Sequence, residues 1–504
     1  MCNENKGKVW LVGAGPGDLG LFTLKGMDVL NNAEVVVYDS LVGQGVLSKV
    51  PGTAKLINVG KRASHHIMKQ EDINRTLVEE ALKGQRVVRL KGGDPFLFGR
   101  GGEELELLTE NNIPYEVVPG VTSSLAVPAY NGIPVTHRDY CSSLHIITGH
   151  KRAGKEYDIN FKALVETKGT LVFLMGVSAL PDICANLIEA GMDKDMPAAI
   201  LQKGTTAGQK RIVATVSTLH DEVQKQGIET PAIIVVGRVC QLADDFYWYE
   251  NLPLAGYRVL VTRPAEADSV MSYRLRKMGA EVVELPAVST IASEDQTMLH
   301  KAFEKLNTYS WIIFTSPFGV KVFFDEMKDN DMDIRAVGNA KFAVVGQGTK
   351  KALRERGLMT DFIPSVYDGE TLGRELREKL EGNEKILIPR AKTGSKEIIE
   401  ELTKKEGIVV EDVPTYDTIY VKQELIDEKA AFEKGEIDCA VFTSSSIVKG
   451  FVQAVPGLDF TKVKAACIGK QTKATADSYG METYMADKAT IDSVIDLVIK
   501  MKDI

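Results

Sequence analysis

Short runs of β-branched and aliphatic residues alternate with longer stretches of helical spacing along most of this chain. In the first quarter KVWLVGAG, AEVVVYD, QRVVRLKGG and IPYEVVPG read as strands, each closed by a turn bearing glycine or aspartate. LHIITGH, GTLVFLMG, MPAAILQKG and PAIIVVGR continue the pattern as far as Arg238. Strands spaced by helices in this way predict parallel α/β architecture. Residues 244–258, DDFYWYENLPLAGYR, are polar and aromatic and break the pattern. The expected division is a first unit over 1–245 with lobes of about 1–120 and 121–245, a linker over 246–252, and a second unit over 253–504.

The second unit starts over with YRVLVTRPAE and contains an internal repeat. SWIIFTSPFGVKVFF, from Ser310, matches DCAVFTSSSIVKGFV, from Asp438; FAVVGQGTKKALRERG, from Phe342, matches AACIGKQTKATADSYG, from Ala465. Each is a strand, a hydroxyl or glycine turn, then a helix. Two similar lobes should therefore face each other, with a ligand between the strand ends. A duplicated scaffold without a site is the plainer alternative.

Composition narrows the function. The 504 residues exceed what one hydrophobic core supports. A net charge of −8 argues against a nucleic-acid or membrane-surface partner, so an anionic ligand needs a local basic pocket. The cysteines are scattered and never form C-x-x-C, which suits a reducing cytoplasm and no disulfide or cysteine metal site. The first residues are polar, so no secretory leader is expected, and no apolar run approaches the roughly 20 residues of a membrane helix.

The glycine loops carry the candidate chemistry. GAGPGD follows the first strand as a dinucleotide loop would, and Asp39 stands where a ribose-binding acid would. However, Pro16 removes an amide donor, and Asp18 replaces the third glycine with a charge that repels phosphate. A nicotinamide oxidoreductase is therefore the weaker reading. RLKGGDPFLFGRGGEE, from Arg89, packs five glycines beside charges of both signs. Such a loop offers main chain to a ligand. Asp94 suits a cation, an amine or a ribose, or else simply caps a turn. PGVTSS adds hydroxyls, and Met175 and Gly204 end later strands. His137, His145 and His150 have no common metal-site spacing, so no metal is expected.

Taken in order, GAGPGD, YDSLV, GKR, RLKGGDPFLFGRGGEE, VVPGVTSS, GIPVTHRDY, TGH, TLVFLMG and QKGTT resemble the uroporphyrinogen-III C-methyltransferases of the tetrapyrrole methylase fold, over about residues 8–245. The resemblance implies S-adenosylmethionine as methyl donor, a tetrapyrrole substrate and a homodimer through this half. It implies a cofactor site lined by Pro16, Gly92, Gly93, Asp94, Leu97, Thr122, Ser123, Met175 and Gly204. It makes Asp39 the proton acceptor and Lys61 the proton donor. Two small departures are Ala63 after GKR and TSS in place of the frequent TSA. A substrate rich in carboxylates calls on the local cations: Arg62, Arg100 and Arg138, with Arg89, Lys91, Lys151, Arg152 and His137 in reserve.

From about Pro253 onward, VLVTRP, FTSPFGV, FAVVGQGT, LIPRA, VPTYDTIY and VFTSSS resemble uroporphyrinogen-III synthase. The resemblance implies two lobes joined by paired linker strands, one lobe of about 253–287 plus 420–504 and the other of about 288–419, with no cofactor. Tyr416, in TYDT, matches the tyrosine thought to assist departure of the substrate hydroxyl. Arg263, Thr315, Ser316, Gly346, Arg390, Thr443, Ser444 and Lys470 are the cleft candidates. Phe318 stands where a polar residue is frequent. The expectation is a bifunctional enzyme of sirohaem and cobalamin biosynthesis. The alternative is a methyltransferase with a non-catalytic tetrapyrrole-binding C-terminal module.

Overall fold

The computed structural model describes residues 6–60, 68–150, 158–264, 270–394, 396–420 and 427–504. Its first sheet comprises β1 (Lys8–Gly13), β2 (Val35–Tyr38), β3 (Lys55–Asn58), β4 (Arg86–Lys91) and β5 (Tyr115–Val118), in the order β3-β2-β4-β1-β5. All its pairings are parallel. Val12 joins Leu30, Val36 and Val88 in one core, whereas Val9 and Leu11 join Leu77, Val87 and Leu108 in another. Helices cover both faces, which is why these strands read as unbroken apolar runs.

The second sheet departs from the parallel expectation. It comprises β6 (Leu144–Thr148), β7 (Thr170–Leu174), β8 (Pro197–Gln202), β9 (Lys210–Thr215) and β10 (Ala232–Val236), in the order β6-β7-β10-β8-β9. β6 and β7 run parallel, but β10 is antiparallel to both β7 and β8, and β9 is antiparallel to β8. Residues 203–209 are too few for the crossover of about a dozen residues that a parallel pair requires, so they close a hairpin.

Residues 244–257 keep contact with the first unit. Trp248 Nε1 donates to the Ala129 carbonyl at 2.9 Å, and the Tyr130 ring lies 5.1 Å from Trp248 and 4.9 Å from Tyr249.

The third sheet holds β11 (Arg258–Pro264), β12 (Glu281–Ala292), β13 (Trp311–Phe314), β14 (Lys341–Val344), β15 (Lys385–Ala391), β16 (Val409–Tyr420), β17 (Cys439–Phe442), β18 (Lys464–Cys467) and β19 (Glu482–Met485). Its order, β14-β13-β15-β16-β12-β11-β17-β18-β19, is nearly symmetric about the central pair. The repeat explains this: β13 and β14 correspond to β17 and β18, β15 to β11, and β16 to β12. β12 runs parallel to β11 over its first half and antiparallel to β16 over its last residues, Val288 to Ala292 facing Tyr420 to Tyr416. Twelve residues in each central strand span about 40 Å, enough to serve both lobes. In both copies the repeated serine is a helix cap: Ser316 Oγ accepts from Gly319 N–H at 3.0 Å and Ser444 Oγ from Ile447 N–H at 3.3 Å. Among the described residues no helix is long and apolar enough to cross a membrane.

Candidate active sites

Turns at the C-terminal ends of β1, β4 and β5 meet backbone to backbone. Ala14 donates to Lys91 O at 2.8 Å, and Gly15 and Gly93 exchange main-chain hydrogen bonds of 3.2 and 2.8 Å. A Cβ on Gly13 would lie 2.5 Å from Gly120 Cα, and one on Gly92 would lie 2.5 Å from Leu41 Cβ. Gly93 differs. Its φ is +69°, and the nearest heavy atom to a Cβ built there is Ser123 N, at 3.9 Å. That open face adjoins the first turn of the helix Ser123–Tyr130, which Thr122 caps. Half-buried Pro16 lies between Gly15 and Gly17, both at positive φ.

Asp94 takes the turn role rather than that of a free ligand group. Its carboxylate accepts from Phe96 N–H at 2.8 Å, Leu97 N–H at 3.1 Å and Gly120 N–H at 3.1 Å, tying the β4 turn to the β5 turn. Gly204 packs its turn on the same helix, since a Cβ there would sit 2.4 Å from Val127 Cγ1. Met175, half exposed at the end of β7, has φ of +56°, and Lys203 and Thr205 also lie at positive φ. These three non-glycine residues on strand-end turns hold conformations that cost energy unless their surroundings impose them.

Asp39 follows β2. Its Oδ1 accepts from Leu41 N–H at 3.0 Å and its Oδ2 lies 3.4 Å from Arg89 Nη1. Behind it, Glu104 Oε1 receives Lys91 Nζ at 2.7 Å and Arg89 Nε at 3.2 Å, all three side chains being buried. Arg89 and Lys91 are therefore committed to this network and are not part of a substrate-facing supply of cations. Desolvation and the neighbouring Arg89 hold Lys91 below the ordinary lysine range, while Glu104 opposes them. Arg100 is exposed and pairs with Glu103 through Nε at 2.8 Å and Nη2 at 2.6 Å. Arg138 is exposed without a partner among the described residues. Lys61, Arg62, Lys151 and Arg152 lie outside the described residues.

S-Adenosylmethionine fits this donor set. Main-chain amides and carbonyls, the Thr122 and Ser123 hydroxyls and the open face of Gly93 suit a nucleoside and an amino acid without phosphate. The proline in the first loop and the acid after it, unsuited to a pyrophosphate, are no obstacle to such a ligand.

In the second unit, Tyr416 lies on β16 where the central strands pair. It is 5% exposed, and its hydroxyl meets Ser316 Oγ at 2.6 Å while Phe318 packs edge-on at 5.2 Å. Burial raises the phenol's pKa, opposed by Ser316 and Thr315. Thr315 and Ser316 follow β13, Thr443 and Ser444 follow β17, and Gly346 and Lys470 stand where β14 and β18 give way to helices. Lys470 opens its helix at the end where the macrodipole disfavours a cation, a local conflict that an anionic ligand would relieve. Arg390 is not a free cleft cation. It is 3% exposed, grips Asp412 twice at 2.6 Å and donates to the Ala391 and Gly394 carbonyls. The Arg263 side chain lies outside the described residues. The Tyr416–Ser316 and Arg89–Asp39 contacts join residues far apart in sequence and have no local signal, whereas Glu104 meets Arg89 and Lys91 from within one glycine-rich stretch.

Comparison with known proteins agrees with both halves. Residues 8–220 match the family of Tetrapyrrole (Corrin/Porphyrin) Methylases and residues 269–496 the family Uroporphyrinogen-III synthase HemD. The porphyrin biosynthesis protein HemD of Ruminiclostridium josui is 46% identical over 98% of each chain. The uroporphyrinogen-III C-methyltransferase of Bacillus subtilis (strain 168) is 39% identical, over 71% of this chain and 73% of its own. Among solved structures, uroporphyrin-III C-methyltransferase from Thermus thermophilus, complexed with S-adenosylhomocysteine, is 38% identical over 47% of this chain and 99% of its own, with a TM-score of 0.41. The chain therefore belongs to the same family as the Ruminiclostridium josui protein and is itself a tetrapyrrole-biosynthesis enzyme that joins an S-adenosylmethionine-dependent methyltransferase to a uroporphyrinogen-III synthase.

Proposed function

We propose that the C-terminal half cyclises hydroxymethylbilane to uroporphyrinogen III, inverting the last pyrrole. The N-terminal half then adds two methyl groups to give precorrin-2 for sirohaem and cobalamin synthesis. The observation that carries this reading is the presence of both family matches, at 8–220 and 269–496, on one chain, so that the product of one half is the substrate of the other. When bound, S-adenosylmethionine supplies an electrophilic methyl group on sulfonium. The chain's contribution is mainly positional, and alignment of reacting groups is worth up to about 7–11 kcal/mol. Asp39, held by Arg89 and the Leu41 amide, accepts the substrate proton; Arg100 and Arg138 hold carboxylates; Lys61 is the donor. The glycine turns orient the cofactor.

In the other half the Tyr416 hydroxyl, kept protonated by burial and oriented by Ser316, assists loss of hydroxide. Thr315, Thr443, Ser444, Lys470 and the amides at Gly346 hold the folded bilane. A homodimer through the N-terminal half follows from the family resemblance, and light scattering of the purified chain tests it. A cytoplasmic location suits the free cysteines at 141, 184, 240, 439 and 467.

The test is anaerobic incubation with fresh hydroxymethylbilane, with and without S-adenosylmethionine, read by mass and isomer analysis. Type III uroporphyrinogen alone, gaining two methyl groups when the cofactor is added, supports both halves. Spontaneous type I isomer alone overturns the synthase reading and leaves a binding module.

A further inference from the structure

Asp18, the acid that disfavours phosphate in the first glycine loop, is absorbed by neither reaction. Its Oδ1 accepts from Gly20 N–H at 2.7 Å, its Oδ2 from the Tyr130 hydroxyl at 2.7 Å, and its own N–H donates to Thr205 Oγ1 at 3.2 Å. It thus clamps the loop of β1 to the second lobe on both sides of the cofactor cradle: Tyr130 ends the helix that Thr122 caps, and Thr205 follows Gly204. Thr205 is a buried β-branched residue at φ of +70°, a conformation that persists only when its surroundings hold it.

Part of what holds it comes from the synthase half. Ala207 N–H donates to Glu281 Oε2 at 2.8 Å, and Arg258 Nη2 holds the same oxygen at 3.0 Å. On the other side, Tyr249 packs its ring against Tyr130 and donates its hydroxyl to Gly279 O at 3.2 Å. Lys49 pairs with Glu284 of β12 at 3.4 Å. A cavity of about 30 Å³ at the junction is lined from both halves, by Gly17, Asp18 and Thr205 on one side and Arg276, Glu281 and Val282 on the other.

We propose that the synthase half is a structural part of the methyltransferase's cofactor site. Glu281 and Tyr249 act as positioning residues that brace the Asp18 loop and the strained 203–207 turn, so affinity for the adenosyl cofactor depends on the docked halves. The inference rests on S-adenosylmethionine being the cofactor of the N-terminal half.

The full-length chain tests it by calorimetric titration with S-adenosylhomocysteine, alongside steady-state methylation. Glu281→Ala and Tyr249→Phe are each expected to raise Kd about fivefold, the size of one buried hydrogen bond, raising KM for S-adenosylmethionine more than they lower kcat. Glu281→Gln keeps an acceptor for Ala207 and is expected to restore binding to within about twofold of the parent. Hydroxymethylbilane conversion, expected to stay at the parent rate, reports that each variant is folded. Parent-like binding by both Glu281→Ala and Tyr249→Phe overturns the bracing, as does a Glu281→Gln as weak as Glu281→Ala. Failure of the parent chain to bind overturns the cofactor reading itself.

Discussion

Replacing Tyr416 by phenylalanine removes one hydroxyl and keeps the ring that packs 5.2 Å from Phe318. The side chain is 5% exposed, so the substitution is close to isosteric and the fold should survive it. Two roles for the hydroxyl predict separable magnitudes. As a wall contact, its 2.6 Å bond to Ser316 is worth about 1 kcal/mol, a rate loss of about fivefold. As the group that protonates a departing hydroxide, it is worth about 10²–10⁴-fold. Because burial raises the phenol's pKa, the proton needed for the second role is present at neutral pH. The assay is the anaerobic initial rate of uroporphyrinogen III formation from hydroxymethylbilane, with isomers separated and the spontaneous type I product subtracted. The expected result is a fall in kcat of at least about a hundredfold, with type I becoming the main product. A loss of less than about tenfold would refute the acid role and leave Tyr416 as a substrate-positioning wall.

Gly93→Ala should weaken S-adenosylhomocysteine binding at least about tenfold in a titration while leaving hydroxymethylbilane turnover intact, because its Cβ would occupy the open face of the cradle from a positive-φ backbone. Glu104→Ala leaves Lys91 buried without its anion and Arg89 with Asp39 alone, and should cost about 3–5 kcal/mol, seen in calorimetry as a downward shift of the N-terminal half's transition alone. Arg390→Ala strands Asp412 and the carbonyls of the 391–394 turn, so denaturant unfolding should show a comparable loss confined to the C-terminal half. If Arg390→Ala instead raised KM for hydroxymethylbilane with stability unchanged, Arg390 would be a substrate contact after all.

Local patterns carried much of the fold. The apolar runs before Gly13, Asp39, Gly92 and Pro119 are β1, β2, β4 and β5, because strands covered on both faces need no polar alternation. The internal repeat anticipated β13 with β14 and β17 with β18, since each copy keeps the same strand, cap and helix. β9 went unread because Lys210 and Arg211 open it and Val213 is exposed, as befits an edge strand. The parallel expectation failed in the second sheet, where strand direction depends on connection length rather than strand composition.

The turns were legible in kind but not in partnership. Glycine turns and hydroxyls can be seen in sequence because their chemistry is local, as with Gly93 and Thr122. Whether a charge faces ligand or core cannot: Arg89 and Arg100 look alike in one motif, yet one is buried on Glu104 and the other is exposed beside Glu103. Arg390 and Asp94, expected at ligand sites, also brace the fold, because the groups they satisfy come from other strands and turns.

By itself, then, the sequence determined the α/β elements, the duplication in the second half and the chemical character of each turn, all of which depend on spacing and on backbone freedom within a few residues. The tertiary structure alone decided which carboxylate each buried cation would face, that Tyr416 would meet Ser316, and that Glu281 of one half would reach Ala207 of the other. Those pairings span up to a hundred residues or so, and a buried donor or charge accepts whichever partner the packed chain brings within reach.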